Sequence, residues 1–190
     1  MKILQKLIES KKTVFTISDM KKIFQNENNK YINLLIQPLK REWILLNLSY
    51  GIRATKNYDI FELSSKLKSW SYISFETVLQ KDWIIFQNYN NTIMLASDNS
   101  IKKNIWKFSF EYHKIKDDIL KNPIGIVNYQ NKYMIATTER AVCDMVYLYK
   151  DIIFDNIRPL KKQKLEEISK IYPKSTILLI NKLIQNVGTK

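Results

Sequence analysis

Between Thr16 and Lys56 the chain strings together a helix-start pattern, an amphipathic stretch and two short apolar runs, a succession that few folds accommodate. Thr16-Ile17-Ser18-Asp19 sets an acid three residues after a threonine, a reciprocal capping pattern, just ahead of apolar Met20, Ile23 and Phe24. A second helix is expected from about Asn28. Trp43 to Leu48 and Tyr50 to Ala54, joined at Ser49 with Gly51 close by, read as a hairpin. Before them, Ile3, Leu4, Leu7 and Ile8 alternate with Lys2, Gln5, Lys6 and Glu9, which predicts an amphipathic first helix.

Helix, helix, helix, hairpin is the order of a winged helix-turn-helix, a module that reads duplex DNA by laying one helix in the major groove. At roughly 100° per residue, Tyr31, Ile32, Leu35, Ile36 and Leu39 gather on one face of the helix from Asn28. Lys30, Asn33, Gln37 and Arg41 fall opposite, with Lys40 and Asn29 at the edge. Amides and cations pair with base edges or hold phosphates, so Lys30, Asn33 and Gln37 are candidates for the groove. Lys40, Arg41, Arg53 and Lys56 are candidates for the backbone. Leu34, on the polar side, either meets a thymine methyl or packs under the wing. Pro38 removes a donor, so the helix is expected to kink there, or to stop near Ile36 and restart.

The chain has 190 residues, 45 % of them apolar, and a formal charge of +13. That length holds two small domains, placed at 1–68 and 69–190. Of 31 basic residues, 27 are lysines, and lysine, asparagine and isoleucine are all abundant, as an A+T-rich coding sequence would give. A basic surface attracts a polyanion whatever its origin. The charge is spread: residues 1–70 carry 13 basic and 6 acidic side chains, the remainder 18 and 12. Lys161, Lys162 and Lys164 precede Glu166 and Glu167, which reads as a solvated helix face. No apolar run approaches the ~18 residues of a membrane span. The N-terminus does not read as a signal peptide, and the single cysteine allows no internal disulfide, so the cytoplasm is the expected compartment.

Further along, Asp59 to Lys68 and Ser74 to Gln80 read as helices, the second capped by Ser74. A polar loop at Asn88 to Asn91 leads to a strand, Thr92 to Ala96. Trp106, Phe108, Phe110 and Tyr112 alternate with polar residues, the pattern of a half-buried strand. Ile124 to Tyr129 and Tyr133 to Ala136 suggest a hairpin turning at Gln130-Asn131. Thr137 or Thr138 caps a helix, and two terminal helices, Asn156 to Ile171 and Ser175 to Asn186, flank Pro173. No internal repeat is expected. The fold class is α+β: the winged module, then a mixed α/β domain with a small sheet and a helical C-terminal tail.

Little here suggests catalysis. Arg140 and Asp144 sit four apart on one helix and can pair, while Glu139 favours its positive end, a structural arrangement. His113 is the only histidine, and with Glu111 it reads as a solvated pair; Cys143 reads as a buried thiol. Three glycines cannot build a phosphate-cradling loop. Asp98, Glu111, Asp117 and Asp118 show no nuclease spacing. No metal, no cofactor and no enzymatic activity are expected.

Two stretches resemble a known family. Tyr72-Ile73-Ser74-Phe75-Glu76-Thr77-Val78-Leu79 resembles the "YISLESAL" segment of the AbiEi-type antitoxins, and Ala136-Thr137-Thr138-Glu139-Arg140-Ala141-Val142-Cys143-Asp144-Met145-Val146-Tyr147 is similar to their "ATPERALLDLLY" signature. Thr138 replaces the usual proline, and Trp43 stands where many members have a glycine leading into the wing. The resemblance implies the antitoxin of a type IV toxin–antitoxin pair associated with abortive phage infection. Such a protein represses its own operon through the winged helix and counteracts a nucleotidyltransferase-like toxin. The partners expected are double-stranded DNA at repeated half-sites of its own operator, bound by a homodimer, and the cognate toxin. No membrane is expected. The alternatives are a winged-helix protein-interaction module, a stand-alone regulator without antitoxin activity, and an uncharacterised nuclease.

Overall fold

The computed structural model describes residues 2–187, the side chains of Lys2 and Asn186 excepted. The chain is α+β and divides into two compact units, residues 1–69 and 70–190.

The first unit runs α1 (Lys2–Glu9), β1 (Val14–Thr16), α2 (Ile17–Phe24), α3 (Asn29–Arg41), β2 (Leu45–Ser49), β3 (Ile52–Thr55) and α4 (Ile60–Leu67). The strands form an antiparallel sheet in the order β1-β3-β2. The capping box forms as read: the Asp19 amide donates to the Thr16 hydroxyl at 3.1 Å, and the Thr16 amide donates to the Asp19 carboxylate at 3.0 Å. Leu7, Phe15, Met20, Ile32, Ile36, Leu39 and Leu45 make the core. Tyr31 is not part of it. One residue and about 100° from Ile32, it is exposed to 48 %.

Pro38 does not end α3, which continues to Arg41. The proline lies in the last turns, and the bond it forfeits would have gone to the carbonyl of Leu34, an exposed residue. Trp43, expected in a strand, instead closes the helix. It is left-handed (φ +56°), its amide donates to the Lys40 carbonyl at 3.2 Å, and the Ile44 amide donates to Leu39 at 2.9 Å. This is a Schellman ending, a place usually held by glycine because a bulky L residue there costs about 1–2 kcal/mol.

The second unit contains β4 (Ser71–Ile73), α5 (Phe75–Lys81), β5 (Thr92–Ser97), β6 (Ile101–Ile105), β7 (Phe108–Lys114), α6 (Asp117–Leu120), β8 (Ile126–Tyr129), β9 (Tyr133–Ala136), α7 (Thr138–Tyr149), α8 (Lys162–Ser169) and α9 (Lys174–Asn186). Its sheet is larger than foreseen, six strands in the order β6-β7-β5-β4-β9-β8, with β4/β9 and β5/β7 parallel. The β8–β9 hairpin turns at Gln130 and Asn131, both at positive φ (51° and 57°). Thr137 caps α7, accepting from the Arg140 amide at 3.3 Å.

Three readings need correction. The strand at β7 starts at Phe108, and Trp106 lies in the preceding turn. Ser74 makes no cap bond to α5; its hydroxyl donates instead to Asp144 at 2.7 Å. The helix expected from Asn156 begins only at Lys162, because Pro159 breaks the segment before it. The chain also repeats itself locally. Leu39-Lys40-Arg41-Glu42-Trp43-Ile44 recurs as Leu79-Gln80-Lys81-Asp82-Trp83-Ile84. The second copy ends α5 in the same way, Trp83 at φ +58° and the Ile84 amide donating to Leu79 at 2.9 Å.

Candidate nucleic-acid interface

The outward side of α3 starts from its cap. Asn28 accepts from the Lys30 amide at 2.9 Å and the Tyr31 amide at 3.2 Å, which sets the rotation of every side chain that follows. With Ile32, Ile36 and Leu39 buried, Lys30, Asn33, Gln37 and Arg41 are exposed along one stripe, spaced three, four and four residues apart. No acid occurs in α3. Leu34 belongs to the same side at 73 % exposure, so it does not pack beneath the hairpin. Lys40 is half-buried at the edge.

Beside this stripe α3 faces the β2–β3 hairpin across a cleft of about 220 Å³, lined by Ile17, Asn29, Asn33, Asn47, Tyr50, Gly51 and Arg53. Arg53 pairs across the sheet with Asn47 and with Phe15, so all three side chains lie on the face that carries the core. One guanidinium nitrogen, Nη1, donates to the Ile52 carbonyl at 3.2 Å, while Nε is buried and meets no partner in the protein. Burial lowers the Arg53 pKa from its ordinary value, although an arginine stays charged in any case. Gly51 (φ +73°) turns the hairpin and leaves Tyr50 fully exposed at the tip. Asn33 and Arg53 are therefore brought together.

The remaining candidates separate. Lys56 lines a larger cleft, about 700 Å³, with Glu42, Trp43, Ile44, Leu46, Thr55 and Asn57. Arg41 is exposed but lines neither cleft. Sequence reasoning missed Asn47; its signal was a lone amide inside the apolar run from Leu45 to Leu48.

Part of the local basic charge is already neutralised. Buried Asp19 takes Lys12 Nζ at 2.5 Å and Lys66 Nζ at 2.9 Å. Burial alone would raise the Asp19 carboxyl, but the hydrogen bonds from Lys12, Lys66 and the Thr16 amide outweigh it and hold the group well below the usual carboxylate range.

In the second unit the Glu139, Arg140 and Asp144 group is a buried scaffold. Arg140 and Asp144 are both fully buried, and Arg140 Nε meets Asp144 Oδ1 at 3.3 Å. The guanidinium also donates to the Tyr72 hydroxyl and the Ile119 carbonyl, both at 2.7 Å, and to the Ile124 carbonyl at 2.8 Å. Asp144 accepts from Tyr172 at 2.6 Å, Ser74 at 2.7 Å and Tyr72 at 2.9 Å. Burial would lower the Arg140 pKa, but Asp144 and the two tyrosines push it further up. Glu139 accepts the Lys161 amide at 3.2 Å. Two segments seventy residues apart meet in this network through Tyr72 and Ser74 on one side and Arg140 and Asp144 on the other.

No protein-family model matches the chain, and no curated protein matches it.

Elsewhere His113 packs edge-on against Phe75 and Tyr149 at 5.3 and 6.4 Å, and burial lowers its pKa despite nearby Glu111. It is thus less solvated than expected, while Glu111 pairs with Lys102 at 2.6 Å. Cys143 is a free, buried thiol whose pKa burial pushes well up. Among the described residues, no group of three or more histidine, cysteine or acidic side chains could hold a metal ion. No helix among them is long and apolar enough to cross a membrane.

Proposed function

We propose that this protein is a DNA-binding transcriptional autorepressor and the antitoxin of a type IV toxin–antitoxin pair. In this reading the first unit is a winged helix-turn-helix. The observation that carries it is the acid-free stripe Lys30, Asn33, Gln37 and Arg41 on α3, flanked by a cleft holding Arg53 and three carboxamides. A stripe of amides and cations on one exposed helix side is the chemistry that pairs with base edges and phosphates. Lys30, Asn33 and Gln37 enter the major groove, and Arg41, Arg53 and Lys56 hold the backbone, with half-buried Lys40 at the margin. One head covers few base pairs, so two act on a repeated operator.

The antitoxin half of the reading rests on the two stretches that resemble the AbiEi-type proteins, with a nucleotidyltransferase-like toxin as the partner counteracted. A titration with duplex DNA from immediately upstream of the gene tests the first half. Lys30→Ala should weaken binding and reduce the salt slope by roughly one unit, whereas Gln37→Ala should relax specificity and leave the slope unchanged. Absence of binding at low salt would favour a protein-interaction module. Co-expression with a neighbouring nucleotidyltransferase-like gene tests the second half: restored growth is expected, and unrelieved toxicity would leave a stand-alone regulator.

A further inference from the structure

We propose that the cleft between α3 and the β2–β3 turn is a seat for one phosphate of the DNA backbone, a site that includes Asn29 and Asn47. The proposal rests on the DNA-binding reading above. Arg53 lines the cleft with Nη1 bonded only to its neighbour's carbonyl and Nε without an acceptor in the protein, closed off until the side chain turns outward, and no carboxylate lines the cleft. Asn29, Asn33 and Asn47 can each turn an amide donor inward. An unmet cationic donor among further donors, with no anion supplied by the protein, calls for an anion from outside. If α3 lies along the major groove, exposed Tyr50 at the hairpin tip reaches toward the neighbouring groove and the strand between them would pass the cleft.

The test walks a single methylphosphonate along each strand of a duplex taken from upstream of the gene, and measures binding by anisotropy. One position per half-site should cost the natural protein about tenfold or more, and Arg53→Gln should be insensitive there. Arg53→Gln should also lower the salt slope by about 0.9. Asn47→Asp, at an exposed position, should weaken binding by placing a carboxylate in the seat. Thermal melting of both variants, expected to match the natural protein, separates lost contacts from lost folding. Binding by the natural protein with no methylphosphonate position coupled to Arg53 overturns the seat and leaves the DNA reading standing. No binding to any duplex overturns both. Inorganic phosphate that shifts the Asn29, Asn33 and Asn47 amide signals, without such coupling in DNA, makes the cleft a site for a free anion and overturns the proposal as well.

A different observation carries a second inference. All four tryptophans, Trp43, Trp70, Trp83 and Trp106, are left-handed, at φ 56°, 56°, 58° and 52°. Of the eight phenylalanines and eleven tyrosines, only Phe75 is. Each indole is 64–75 % exposed, so burial does not repay a conformation that disfavours bulky side chains. Two of the four occupy Schellman endings, the usual place of glycine. Glycine itself is scarce, three in 190 residues against the roughly 7 % of ordinary chains. We infer that the gene spells these four positions UGA and that its natural host reads UGA as glycine. Reading the four codons and measuring peptide masses of the protein from that host tests this. UGA at all four, with glycine in the peptides, is expected. A UGG codon at any of them, or tryptophan in the host peptide, overturns it.

Discussion

A guanidinium cut off from water must find its counter-charge inside the protein, and Arg140 finds it in Asp144. All the partners that Asp144 meets are donors, so its loss strands a buried cation. Asp144→Asn should cost about 3–5 kcal/mol in urea unfolding, and Arg140→Met with Asp144→Leu together should cost less than either alone. Additive losses would show that the two groups do not act as a pair. Gly125 stands against the same side chain: a Cβ there would lie 2.8 Å from Arg140 Cβ, at φ +74°. Asp19 is the acid-sensitive counterpart. Its folded pKa is depressed, so its contribution is fully present above the ordinary value of 3.8 and is lost as pH falls below it. Asp19→Asn should flatten the decline of the melting temperature below about pH 4, and an unchanged acid slope would remove Asp19 from that role. Of these groups, the spacing of Arg140 and Asp144 was legible, because four residues on a helix bring side chains together. Tyr72, Ser74 and Tyr172 were not, because a hydrogen bond across the fold leaves no periodicity in the sequence.

At the scale of elements, what the sequence revealed was local chemistry. The Thr16 capping box, the Gln130-Asn131 turn and the Thr137 cap each involve residues within four positions of one another, and each forms. β1, β4 and β6 escaped notice. The first two are three residues long, too short for alternation to register, and exist through partners far along the chain. β6 pairs with the adjacent β7, but its largely exposed Ile101-Lys102-Lys103-Asn104-Ile105 lacks an apolar face. The helix endings yield a test. Trp43 and Trp83 hold left-handed backbone with 75 and 70 % of their surface exposed. Trp43→Gly and Trp83→Gly should therefore each raise stability, by about 0.5–1 kcal/mol, as release of backbone strain outweighs the little packing the indoles provide. A fall in stability in urea unfolding would show that the indoles contribute packing beyond what their exposure suggests.

For the whole molecule the question is whether DNA senses the formal charge of +13 or its placement. The arrangement favours placement. Lys12 and Lys66 are spent on Asp19, and exposed Lys161, Lys162 and Lys164 sit on or beside α8 with exposed Glu166 and Glu167 close by. Lys30, Arg41 and Lys56 are exposed with no acid on α3 to offset them, although Glu42 shares the cleft of Lys56. Two triple variants remove the same formal charge from these two places. Lys30→Gln with Arg41→Gln and Lys56→Gln should reduce the salt slope on upstream DNA by roughly 2–3 units, at about 0.9 for each phosphate that is no longer neutralised. Lys161→Gln with Lys162→Gln and Lys164→Gln should move it by less than about 0.5. Equal reductions would mean that the duplex responds to a diffuse positive field, and α3 would lose its claim to be the reading surface. A larger effect from the second triple would move the interface to the second unit.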